Sequence, residues 1–244
     1  MPRTGRALID GAAYHISTRG NNGQTVFHQD ADYQHYLRLL STYTQAHQLK
    51  IYHFALMPHA VHLLLDVTTG AALSKAMLGL NLAYALFYQK RHRYSGHVWQ
   101  GRFKSAFVDR ERELLACGRS IELEPVRAGL ASHPGDYAWS SYRAYADGCA
   151  DLPVTTHPLY EQLGACADER RARYRRLVEE RLAVDTIDAR PLVASSSFNR
   201  RMRDASPVGA GEFRLRAAPV ERHRTGFPIK RRSLGRLSAL TGLS

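Results

Sequence analysis

The order in which hydrophobic periods follow one another constrains this chain more than any other feature. Residues 13–18 (AYHIST) alternate as a short strand, and the Gly20-Asn21-Asn22-Gly23 cluster behind them reads as a turn. Residues 30–47 carry Tyr36, Leu37, Leu40 and Tyr43 at helical spacing, with Asp30 as a cap. Residues 50–57 read as a strand, Pro58 interrupts it, and residues 61–67 (VHLLLDV) form another. Residues 73–91 carry Met77, Leu80, Tyr84 and Phe87 on one helical face. Residues 98–108 form a further strand region, which holds the basic run Arg102-Phe103-Lys104. Residues 110–122 read as a helix that Pro125 stops near Leu123, because residues before a proline avoid the helical region. Strand, helix, strand, strand, helix, strand predicts an α+β domain: a ferredoxin-like antiparallel sheet with helices on one face. That architecture hosts many activities, so function has to be argued from a site.

Past residue 150 the character changes. Residues 159–182 contain the dense basic segment ERRARYRRLVEERL, which reads as a helix, and 185–204 suggest one or two short helices. From 205 onward Gly, Pro and Arg dominate and periodicity fades. The expected organisation is a core at 1–150, a basic helical extension at 151–204 and an Arg-rich, partly disordered tail at 205–244. The chain carries 34 Lys and Arg against 22 Asp and Glu, a net of +12, and +8 of this falls in residues 160–244. Only five of the cations are Lys. Arginine's planar fork suits phosphate oxygens and guanine edges, so the excess points to nucleic acid. No run of 18 apolar residues occurs and the first residues lack an apolar signal core, so neither a membrane span nor secretion is expected. Cys117, Cys149 and Cys166 are odd in number and far apart, which fits a reducing cytoplasm better than a disulfide framework.

Five phrases carry a family likeness: AAYHISTRGNNGQTVF (12–27), FALMPHAVHLLL (54–65), HVWQGRFKS (97–105), IELEPVRAGL (121–130) and DYAWSSYRAY (136–145). Together they resemble the REP-associated tyrosine transposases, a branch of the single-tyrosine HUH (IS200-like) transposases that act on single-stranded DNA. The piece RPLVASSSFNRRM (190–202) resembles that family's last helical segment. The resemblance implies a ferredoxin-like core in which a His-hydrophobe-His pair on a central strand binds a divalent cation. It implies a helix-borne tyrosine that attacks a DNA phosphate, a polar residue four positions on that completes the metal site, and palindromic hairpins with a single-stranded flank as substrates. Each spacing has a geometric reason. Residues two apart on a strand share a face, and so do residues four apart on a helix.

This chain departs from the pattern at three places. Met57-Pro58-His59-Ala60-Val61-His62 keeps the second histidine as His62 but has Ala60 where the first would stand. His59 lies three residues from His62, on the other face of a regular strand unless a bulge follows Pro58; His53 in the preceding strand is another candidate. Ser120 occupies the tyrosine position and Glu124 the polar one. His62 and Glu124, with His59 as an alternative, make at most a weak metal site, so no cofactor is expected, with Mg²⁺ or Mn²⁺ only if the residual site is competent. Serine has no evident base beside it. The DNA-facing candidates are Arg19, Gly20 and Asn21 in the turn, Gln100, Arg102 and Lys104 alternating along a strand, Arg119 and Arg127 flanking the altered site, and Arg231 and Arg232 in the tail. His15, Trp99 and Trp139 read as core residues. The expected protein binds hairpin and single-stranded DNA, is catalytically inactive, and serves as a domesticated regulator. The alternatives are a working metal-dependent nickase and strand-transferase, and an RNA-hairpin binder.

Overall fold

The break at Pro58 sets the sheet. In the computed structural model, which describes residues 8–109 and 113–187, β2 (Lys50–Met57) and β3 (Ala60–Asp66) are joined by a turn of only two residues, Pro58 and His59. They pair antiparallel from Met57↔Ala60 to Lys50↔Asp66, with an irregularity between Ile51 and His53. β1 (Ala13–Arg19) lies antiparallel between β3 and β4 (Lys104–Val108), giving the order β2-β3-β1-β4. This is the ferredoxin-like sheet that the element order predicts.

α1 (Asp30–Ala46) and α2 (Gly70–His92) cover one face. A Gln29–Asp32 capping box starts α1 and the Thr69 hydroxyl caps α2. They bury Tyr36, Leu40, Leu73, Met77, Leu80 and Tyr84 against Tyr14, Ile16, Phe54, Leu56, Val61, Leu63 and Leu65 of the sheet. Trp99 and the partly buried Trp139 belong to this core, the latter stacked on Tyr33 at 4.6 Å. α2 is long and apolar enough to cross a membrane by length and composition, contrary to the sequence expectation, yet one side of it is packed into this core. The second face carries α3 (Leu114–Arg127), whose Leu114, Cys117 and Ile121 pack on Ala13, Tyr52, Ala55 and Leu64. Helices therefore lie on both faces of the sheet, not on one.

α3 also runs through Pro125 instead of stopping before it. Proline removes one N–H and so leaves one carbonyl of the preceding turn without its usual partner. Pro125 is buried, and Ala128 N–H still bonds to the Glu124 carbonyl, so the last turn holds.

A boundary at residue 150 is not seen in the packing. Between β2 and the C-terminal helix lie α4 (Tyr142–Ala146) and α5 (Pro158–Glu161), followed by α6 (Ala167–Ile187). Tyr142, Tyr145, Tyr160, Tyr174 and Val178 join Leu123 of α3 in one buried cluster. Backbone bonds from Thr155 to Ile51 and from Ser141 to Phe54 cover the outer edge of β2. The arginines of α6 serve this packing: Arg175 donates to the Ala146 carbonyl and Arg170 to that of Gly164. Others pair with acids, Arg171 with Asp168, Arg173 with Glu169 and Arg176 with Glu180. Residues 188–244, including the tail and its Arg231 and Arg232, lie outside the described residues.

Candidate functional site

Alternation along the strands decides which side chains face α3. His15 and Ser17 on β1 and His62 on β3 point to that side, with Ser17 directly opposite His62, and on β4 it is Lys104 and Ala106, paired with Ser17 and His15, that share the face. α3 presents Cys117, Ser120, Ile121 and Glu124 at i, i+3, i+4 and i+7, one stripe of a helix. Together with Lys104 and Ala106 these residues line an open pocket between the sheet and α3. The family positions His62, Ser120 and Glu124 are thus brought together as the motif spacing implies. Ala60, 1% exposed, offers no donor.

Two of the sequence candidates for a second imidazole are elsewhere. The β2–β3 register runs without a shift from Met57↔Ala60 to Ala55↔His62, so no bulge follows Pro58, and His59 is exposed in the turn. His53 is fully buried and directs Nδ1 to Glu122 Oε1 at 2.8 Å, on the far side of α3. The histidine that does reach the pocket is His15, which sequence reasoning assigned to the core. Its Nε2 lies 3.1 Å from Nδ1 of His62, with the rings nearly parallel, so one nitrogen donates and the other accepts. Alternation puts His15 on the same face as Ser17, but that Ser17 pairs with His62 emerges only from the sheet register.

Burial pushes the His15 pKa down to about 4. Burial, followed by the charges of His15, Arg19 and His59, pushes that of His62 down to about 3. Both imidazoles are therefore neutral at pH 7. Burial also raises the Cys117 thiol to about 12, which keeps it protonated and unreactive.

The continuation of α3 past Pro125 places Arg127 two turns after Ser120. Its Nη1 donates to the Ser120 hydroxyl at 3.0 Å and to the Ser120 carbonyl at 2.9 Å, and reaches Glu124 Oε1 at 3.4 Å. One guanidinium thus holds both residues that stand at the nucleophile and third metal positions. A guanidinium is always protonated and accepts no proton, so it is no base for the serine. The divalent cation implied by the family resemblance does not fit these residues. Ala60 cannot ligate, Glu124 is paired with Arg127, and no group of three or more His, Cys, Asp and Glu among the described residues is placed to hold an ion.

Of the expected DNA contacts, Arg19, Gly20, Asn21 and Gln100 gather at one end of the sheet. Gly20 N–H bonds to the His59 carbonyl, Asn21 N–H to that of Val98 and Gln100 N–H to that of Arg19, which ties the turn, the β2–β3 tip and the loop before β4 together. A Cβ on Gly20 would lie 2.1 Å from the Gln24 carbonyl oxygen, so only glycine fits this approach. Gln100 and Arg102 are exposed but do not alternate along a strand: β4 begins at Lys104, and Gly101 (φ 69°) bends the chain before it. Lys104 is exposed at the pocket rim. Arg119 points away, donating to the Leu177 carbonyl of α6. It is a brace between helices and not a phosphate contact.

A family model described as "Transposase IS200 like" matches residues 9–121. No curated protein matches the chain. Among solved structures, the chain is similar to a REP-associated tyrosine transposase bound to a REP hairpin, at 16% identity over 64% of this chain and 93% of that one, with a TM-score of 0.51. It is also similar to a protein from Deinococcus radiodurans R1 described as a transposase, at 19% identity over 52% of this chain and 92% of that one; a TM-score of 0.34 is too loose to bear on the site.

Proposed function

We propose that this chain, whose residues 9–121 match the IS200-like transposases and whose sequence phrases and fold resemble the REP-associated tyrosine branch, binds hairpin and single-stranded DNA without cleaving it. One observation carries the reading: Arg127 grips Ser120 and Glu124 together, while the surrounding phrases and the fold are intact. The pocket offers a phosphodiester an ammonium from Lys104 and hydroxyls from Ser17 and Ser120, with the Arg127 guanidinium held on the Ser120 hydroxyl and no ion required. Arg19, Asn21, Gln100 and Arg102 border the same end of the sheet and supply donors for bases next to the bound phosphate. A protein of this kind acts as a regulator at chromosomal palindromes, in a cytoplasm that keeps its three thiols reduced.

The working-nickase alternative asks Ser120 to attack phosphorus. A serine hydroxyl needs a base to take its proton, and its closest charged partner here is a cation that cannot. The test uses the full chain and a labelled hairpin with a single-stranded flank, in Mg²⁺, in Mn²⁺ and in chelator. Binding by fluorescence anisotropy is expected to be the same in all three, with no nicked strand and no covalent protein–DNA band on a denaturing gel. A nick that depends on Ser120 would establish the alternative. Loss of binding in chelator would show that an ion does occupy the pocket.

A further inference from the structure

Between Asp66 and Asp109 the sequence holds no acidic residue, while Lys75, Lys90, Arg91, Arg93, Arg102 and Lys104 fall in the same stretch and supply +6 of the net +12. The fold brings five of these six to one end. α2 starts where β3 leaves the sheet and runs back, so its C-terminus returns to the end that holds the 20–23 turn and the β2–β3 tip. The loop after it is fixed there: Gln24 Nε2 donates to the His97 and Val98 carbonyls, Gln89 Nε2 to that of Gly96 and Trp99 Nε1 to that of Asn81. Arg91 Nε and His92 Nε2 lie 3.1 and 3.2 Å from Oδ1 of the buried Asp32, which pins the last turn of α2 to the start of α1. Lys90 and Arg93 are left exposed and outside any ion pair among the described residues, with His97 and Arg102 exposed further along the loop.

We propose that this surface, the α2 side of the sheet end, carries the duplex stem of the hairpin, with Lys90 and Arg93 on its phosphates, while the single-stranded flank crosses Arg19, Asn21 and Gln100 to the pocket under α3. The placement rests on the proposed hairpin-binding function. The rings on this side are covered: Tyr88 is buried, Tyr94 packs edge-on against it with its hydroxyl on the His97 carbonyl, Phe87 is stacked on His35, and Trp99 is in the core. A single strand thus finds no exposed ring here on which to stack its bases. A duplex, whose bases are already stacked, asks only for fixed cations along its backbone. The pocket lies on the opposite face of the sheet and joins this surface across the 98–104 segment, whose Gln100, Arg102 and Lys104 are exposed. A hairpin laid along Lys90, Arg93, Arg102 and Lys104 therefore changes face at the junction of stem and flank.

Fluorescence anisotropy with the full-length chain tests the placement on three probes: a hairpin without a flank, the same hairpin with its flank, and the flank alone as an isolated strand. The double variant Lys90→Glu, Arg93→Glu is expected to weaken the flankless hairpin at least about tenfold and to leave the isolated strand within about twofold of wild type, with an unchanged circular dichroism spectrum. Lys90→Ala with Arg93→Ala should lower the salt slope for the flankless hairpin by about 0.9 per cation. Lys104→Ala is expected to do the opposite, weakening the isolated strand more than the flankless hairpin. In a Cys149→Ser, Cys166→Ser background, Ser95→Cys carrying an azidophenacyl group is expected to photo-cross-link to stem nucleotides of the flanked hairpin. Hairpin binding that the charge reversal leaves unchanged, or cross-links confined to the flank, overturns the placement alone, whereas a wild-type chain that binds no hairpin removes the proposed function and the placement with it. An RNA stem-loop of the same sequence bound more tightly through Lys90 and Arg93 also overturns it, as does flotation with phosphatidylserine vesicles that the same substitutions abolish without any effect on the hairpin.

Discussion

Arg127 ties the Ser120 hydroxyl and the Glu124 carboxylate to one guanidinium, and the proposed function makes it the cation nearest the bound phosphate. Replacing it with alanine removes the cation and leaves Glu124 facing the phosphate, so hairpin affinity is expected to fall about tenfold or more and the salt slope by about 0.7–0.9, as for one lost phosphate contact. Arg127→Lys should rescue it only in part, because the lysine ammonium keeps the charge but stops one atom short of Nη1, the nitrogen that meets the Ser120 hydroxyl, the Ser120 carbonyl and Glu124. Reversion follows the same logic. Ala60→His, Ser120→Tyr or Glu124→Asn alone should yield no covalent DNA adduct in Mn²⁺, since groups that act as a unit give nothing singly; only the triple variant supplies every position. The histidines set a pH dependence. His15 and His62 have pKa values near 4 and 3 when folded, and His157, also buried, near 3, against 6.5 in the unfolded chain. The unfolded chain takes up protons first as pH falls, so the stability these residues contribute is complete above about pH 6.5 and is lost between there and pH 3–4. Urea denaturation at pH 7 and pH 4.5 should differ by about 2 kcal/mol or more from this source, and His62→Asn should reduce the difference.

At the scale of elements, α3 is held from behind as firmly as it is used in front. Glu122 is fully buried and accepts from Ser141 Oγ at 2.6 Å and Tyr174 Oη at 2.7 Å besides facing His53 Nδ1 at 2.8 Å. It joins β2, α4's leading residue and α6 to the helix that carries Ser120 and Glu124. Tyr174→Phe leaves that carboxylate short of one donor and should cost about 1–3 kcal/mol in chemical denaturation. Gly118 is the close approach that permits this packing: a Cβ there would come within 2.4 Å of the His53 ring, which Glu122 holds in place. Gly118→Ala is therefore expected to displace α3 and to weaken hairpin binding as well as stability, a double effect that Tyr174→Phe at the far side of Glu122 should show more weakly.

The sequence made part of this legible. Period 2 and period 3.6 segments located β1 to β4 and the three main helices, because their apolar faces are regular. The family phrases located His62, Ser120 and Glu124, because strand alternation and helical spacing are local rules. What could not be read were contacts between distant segments. His15 meets His62 only through strand pairing across 47 residues. Arg127 reaches Ser120 only because α3 continues through Pro125, against the local preference. The strand expected at residues 98–103 is a loop, because Gly101 takes a left-handed backbone and the segment is held by bonds to Arg19 and Asn21. The basic segment of α6 counted toward the nucleic-acid reading of the charge because composition shows charge but not its partners.

The proposed function implies that charge and specificity are separated along the whole molecule. In the described part, Arg119, Arg170 and Arg175 donate to carbonyls and Arg171, Arg173 and Arg176 pair with carboxylates, so the proposed DNA contacts are the pocket and the sheet end. Residues 206–244 hold eight Lys or Arg against two Glu, half of the net charge of +12 in 39 residues. Phosphate neutralisation gives affinity that falls with salt and is blind to sequence, whereas base contacts give discrimination. A chain ending at residue 205 is therefore expected to bind every DNA more weakly, with its salt slope lowered by several phosphate contacts at about 0.7–0.9 each, and to keep its preference for a cognate over a scrambled hairpin. Asn21→Ala or Arg102→Ala should do the reverse, eroding the preference while the slope changes by one contact or less. Titrations of both hairpins at several salt concentrations separate the two effects. An unchanged slope after truncation would mean that the cations of 206–244 never meet DNA, and a lost preference would move hairpin reading from the sheet end to the C-terminal segment.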